Sequence, residues 1–115
     1  MGEKSSLKLP ISTSQDLTAA ALDFTTSIGR KFRLDSVTIK ASVNITETIT
    51  LKKNSNLGAA YDTVLRTVGL VAQQNFVFRP DGEEVFNAGD ELDVDVTAAN
   101  VTGVVYVEIK VSEIN

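Results

Sequence analysis

The residues with the most chemical potential in this chain are carboxylates. Glu91-Leu92-Asp93-Val94-Asp95-Val96 alternates acid with apolar residue, which places Asp93 and Asp95 on the outward face of one strand while Leu92, Val94 and Val96 face a core. Paired carboxylates cleave glycosides when one partner keeps its proton and a cleft holds the sugar. With Asp81, Glu83, Glu84, Asp90 and Glu91 the pair forms an acidic rim that could instead offer oxygen ligands to Ca²⁺. Its spacing matches no EF-hand loop, and a solvated rim is the simpler reading.

The remaining chemistry is limited by what the chain lacks. It has no Cys, His or Trp. Disulfides, thiol or imidazole catalysis, and zinc sites built on Cys or His are thereby excluded. No Gly-x-Ser-x-Gly elbow is present, and the seven glycines are scattered singly rather than gathered into a phosphate-cradling loop. We therefore expect no enzyme and no cofactor. A carbohydrate-binding surface would have to use Tyr61 or Tyr106, since the five Phe are expected in the core.

The net charge of −4 argues against a dedicated nucleic-acid binder. No apolar run is long enough to span a bilayer as a helix, so no membrane is expected as a partner. The polar start, Met1 to Ser6, leads into no apolar segment, and no signal peptide is expected. Charge is unevenly placed. Pro80–Ile109 holds eight acids and no base, whereas Arg30–Lys53 holds six bases against Asp35 and Glu47. Such blocks are either two solvated faces or complementary surfaces through which copies meet.

The elements that must position these residues read as strands. At 115 residues the chain is one domain. Residues 1–16, with Leu7, Leu9 and Ile11 alternating around Pro10, are expected as an extended N-terminal arm or an edge strand, and residues 17–115 as a single sandwich. Leu17–Thr26 admits a helix through Ala19-Ala20-Ala21, but Leu22, Phe24 and Thr26 alternate and favour strand. Phe32 and Leu34 point one way, then Val37, Ile39, Ala41, Val43 and Ile45 continue in the opposite phase. That slip predicts a β-bulge near Asp35-Ser36.

Ala59–Leu70 has apolar residues at helical spacing, yet its β-branched residues and flanking glycines favour a bent strand. Pro80-Asp81-Gly82 and Asn87-Ala88-Gly89-Asp90 read as turns bracketing a short strand. In the last strand Val105, Val107, Ile109 and Val111 point inward, with Tyr106, Glu108, Lys110 and Ser112 outward. About eight strands at these intervals predict an all-β, antiparallel β-sandwich of jelly-roll type.

Ala60-Tyr61-Asp62-Thr63-Val64-Leu65, Phe78-Arg79-Pro80-Asp81-Gly82 and Ala88-Gly89-Asp90-Glu91-Leu92 give the chain a further likeness. It resembles the small jelly-roll proteins carried on tailed-bacteriophage particles, above all the head decoration (cement) proteins. The resemblance implies a non-enzymatic virion protein, made in the host cytoplasm and bound to the major capsid protein or another virion lattice protein. It further implies a homo-oligomer, dimer or trimer. The residues expected to touch partners are Leu7, Leu9 and Ile11 of the arm, then Lys52 and Lys53 of the Lys52–Asn56 loop that ends the Ile49–Leu51 strand. The alternative is a receptor- or carbohydrate-binding module.

Overall fold

The computed structural model describes residues 8–114, so Leu7 lies outside them. Nine strands follow in order: β1 (Lys8–Asp16), β2 (Leu22–Thr26), β3 (Phe32–Ile45), β4 (Thr48–Asn54), β5 (Thr63–Gly69), β6 (Gln73–Phe78), β7 (Glu84–Phe86), β8 (Glu91–Val96) and β9 (Val104–Glu113). One sheet has the order β1-β9-β3-β6, with β7 on the free end of β3; the other has the order β2-β8-β4-β5. Every pairing is antiparallel. Successive strands change sheets at β1–β2–β3–β4, at β5–β6 and at β7–β8–β9, which is the winding of a jelly roll.

Alternation builds the core. On β9, Val105, Val107, Ile109 and Val111 are buried between the sheets. They face Leu92, Val94 and Val96 of β8 and Ile49 and Leu51 of β4, all buried as well. Each such side chain contributes roughly 1.5–3 kcal/mol by leaving water. The phase slip in β3 is a bulge: pairing with β9 shifts register between Leu34 and Ser36, so Phe32 and Leu34 stay buried before it and Val37 and Ile39 after it.

The structure decides three further points. Residues 8–16 are not a separate arm but an edge strand, hydrogen-bonded along their length to β9, and Leu9 and Ile11 pack against the core. Ala59–Leu70 opens with a single 3₁₀ turn, Ala59–Tyr61, before β5 begins. Pro80-Asp81-Gly82 does not reverse the chain. Both β6 and β7 run antiparallel to β3, pairing Val37 with Phe78 and then Leu34 with Glu84. They are one strand interrupted by a short outward excursion.

Ser112 also departs from the pattern. It lies on the outward side of β9 yet is fully buried, because the bulge carries Asp35 over it and the Ser112 hydroxyl donates to the Asp35 carboxylate.

Candidate functional site

Beside Lys52 and Lys53, the loop from Asn54 to Asp62 holds exposed apolar side chains on a stiff frame. The buried Asp90 carboxylate accepts hydrogen bonds from the backbone N–H groups of Asn56 and Asn87, both at 2.9 Å. Asn56 Nδ2 in turn donates to the Ala88 carbonyl at 3.0 Å. Asp62 accepts from the Ser55 N–H at 2.8 Å, and Ser55 Oγ accepts from the Leu57 N–H at 3.0 Å. These contacts weld the loop to the Asn87–Asp90 turn. Leu57 and Tyr61 stand out from it, 72% and 62% exposed. An ordered loop that shows a large aliphatic and an aromatic side chain to water has the form of a protein-docking tip, since little further ordering is needed on binding.

The outer face of the β2-β8-β4-β5 sheet carries the carboxylates. The register sets Asp23 directly opposite Asp95, and Thr25 opposite Asp93. On the other side of β8, Thr50 faces Asp95 and Lys52 faces Asp93. Oxygens of Asp23, Asp93 and Asp95 lie within 4.8 Å of one another. Partial burial, then the charge of Asp93, then the hydrogen bond and charge of Asp23 push the Asp95 carboxyl up to about 6, while Lys52 pulls the other way. Asp95 therefore holds its proton more tightly than an ordinary carboxyl. Of the acids in the expected rim only Asp93 and Asp95 join this trio. Asp90 is tied up in the loop, Glu84 contacts Lys53 and Glu83 contacts Arg33.

The outer face of the other sheet is a shallow groove of about 420 Å³, lined by Ser12, Ser14, Thr38, Lys40, Tyr106 and Glu108 among others. Cross-strand pairing places Ser14, Tyr106 and Lys40 in one row and Ser12, Glu108 and Thr38 in the next. Tyr106 is 52% exposed. Among the described residues, no hydrogen bond links these side chains to one another.

The residues expected to touch partners have mixed positions. Leu9 and Ile11 serve the core of their own molecule and do not project as an arm. Lys52 and Lys53 are not in a loop but within β4, paired to β8; Lys52 is half-buried on the outer face beside Asp93. Lys53 points the opposite way: its ammonium donates to the Val85 carbonyl at 3.0 Å, pairs with Glu84 at 3.4 Å and sits 5.3 Å from the centre of the Phe86 ring. The acidic and basic blocks of the sequence thus meet inside one molecule, through Lys53–Glu84, Arg33–Glu83 and the Lys52–Asp93 juxtaposition.

No protein-family model matches the chain, and no curated protein matches it. Among solved structures it is similar to the crystal structure of the Drosophila NLP-core, reported for its insight into pentamer formation and histone binding. That likeness has 13% identity and a TM-score of 0.43, covers 93% of this chain and 98% of the other, and is too distant to transfer function.

Proposed function

We propose that the chain is a non-enzymatic virion structural protein, a capsid decoration protein that docks on a lattice of major capsid protein and stabilises it. The supporting observation is the hydrogen-bonded loop that holds Leu57 and Tyr61 in solvent. Many weak copies of such a contact around a shell add up through multivalency. The carboxylate trio lies on the outer face of a sheet, with Thr25 Oγ1 donating to Asp93 at 3.5 Å, and we read that face as part of a recognition surface rather than as a catalytic site.

The test is particle association. Particles banded on a density gradient from the source culture carry the wild-type protein in many copies. The double variant L57D/Y61A stays folded but remains in the soluble fraction. Wild-type protein absent from every particle fraction overturns the reading.

A second reading, a carbohydrate-binding module, is favoured by the Tyr106 groove, where an exposed ring is flanked by free hydroxyl, carboxylate and ammonium groups. It requires a glycan-array signal that Y106A removes.

A further inference from the structure

The jelly roll leaves two open sides. On one, β5 and β6 are the edge strands of their two sheets; on the other, β1 and β2 are. Each edge presents unpaired backbone donors and acceptors, a feature that invites another chain. We propose that these two sides fit each other, and that copies of this chain associate head to tail with the β5–β6 side of one against the β1–β2 side of the next.

Charge carries the argument. Between Thr63 and Pro80 the only charged residues are Arg66 and Arg79; β1 and β2 carry Asp16 and Asp23, with one base, Lys8, at the opposite end of β1 from Asp16. Arg66, Arg79, Asp16 and Asp23 are all exposed, and among the described residues none takes part in an ion pair. Of the larger blocks, Arg33, Lys53, Glu83 and Glu84 are paired within the molecule, whereas these four residues stand unpaired on the two open sides.

The apolar surface agrees. Val64 and Val77 are 57% and 44% exposed on β5 and β6. Between the two strands opens a cleft of about 490 Å³, with Leu65, Phe76 and Phe78 in it; its charged lining is Arg66 and Arg79 together with Asp81 and Glu84, of which Glu84 is paired with Lys53. Opposite, Leu9, Ile11 and Phe24 are only partly buried on β1 and β2. Apolar surface accompanied by opposite charges is the make-up of a specific contact, for which about 800 Å² per partner is standard. Because the two sides differ, the contact is heterologous and repeats into a ring or an open chain rather than stopping at a symmetric dimer.

This contact deepens the lattice reading but does not require a shell, so the two can fail separately. Light scattering on the wild-type chain after size exclusion is expected to give a mass above the 12.4 kDa monomer. R66E/R79E and D16K/D23K are each expected to weaken association about tenfold or more, and mixing the two variants restores it, because reversed sides then match. Since Asp16 also accepts hydrogen bonds from Thr18, D23K alone serves as the second acidic-side variant, with circular dichroism confirming the fold of each. A wild-type chain that stays monomeric across a concentration series overturns the proposal. So does an acidic-side reversal that keeps the wild-type mass, or a variant mixture that stays dissociated.

Discussion

Thr97 Oγ1 donates to the buried carboxylate of Glu47 at 2.7 Å, and that bond joins the β3–β4 turn to the loop leaving β8. The same carboxylate accepts from the N–H groups of Ala99 at 2.8 Å and Asn100 at 2.9 Å. The Glu47 carbonyl also accepts from the Leu70 N–H at 2.8 Å, bringing in the β5–β6 connection. One residue, through its side chain and its carbonyl, ties these three connections together at this end of the sandwich.

Replacing Glu47 by Ala leaves two loop amides and a hydroxyl without their acceptor, and is expected to cost about 2–4 kcal/mol in urea unfolding. Burial acts to raise the Glu47 pKa, but the hydrogen bonds from Thr97, Asn100 and Ala99 outweigh it and hold the group below its ordinary 4.5. A depressed folded-state value means that the stabilisation is present above pH 4.5 and is lost as pH falls through the folded value. Wild type should therefore lose stability in acid more steeply than E47Q.

Asp95 has the opposite sign. Its carboxyl rises from 3.8 to about 6 in the fold, so the native state holds a proton that the unfolded chain releases. Stability from this group is full below pH 3.8, declines as pH rises, and is gone above about 6. D95N is expected to be more stable than wild type at pH 7.5 by roughly 0.5–1 kcal/mol, as like charges opposite one another on a sheet are unfavourable. The difference should vanish at pH 3.5; thermal unfolding at the two pH values measures it.

Asp90 and Gly89 frame the docking loop from below. Gly89 has φ +92°, and a Cβ there would come within 2.9 Å of Asn56 Nδ2. G89A should cost about 1–3 kcal/mol through strain at positive φ and displacement of Asn56. D90A removes the buried acceptor of two part-buried loop amides and should cost about 1–3 kcal/mol. Hydrogen exchange is expected to show faster exchange of the Asn56 and Asn87 amides in D90A, with β9 protected less only in proportion to global stability.

Phe86 is fully buried and stacked on Phe32, with ring centres 4.7 Å apart and planes inclined by 17°. F86A should lose about 3–5 kcal/mol and release Lys53 from the ring it covers. K53M keeps the stem over Phe86 and should change stability by less than about 1 kcal/mol.

What could be read from the sequence follows from the range of the interactions. The inward set of β9 and the bulge at Asp35-Ser36 were legible, because a period of two and a slip in that period are written in neighbouring residues. The buried Ser112 was not, since its cover comes from the bulge of a different strand. Nor was Asp23: only the β2–β8 register brings it to Asp95, and nothing near Asp23 announces that pairing. Lys52 and Lys53 looked alike on the page, but successive strand residues face opposite ways, so one lies with the carboxylates and the other over Phe86. The turn chemistry of Pro80-Asp81-Gly82 was legible while its direction was not, as the same residues suit a reversal and a detour.

That detour has a practical consequence. Because β6 and β7 continue along one line of β3 on either side of it, the chain between Arg79 and Glu83 leaves and rejoins the sheet at fixed anchor points. A foreign peptide spliced in at Gly82 would lengthen the bow without shifting either anchor, and would be displayed from the rim of the sandwich. The molecule thus carries a ready grafting position, at which cargo can be added while both sheets keep their register.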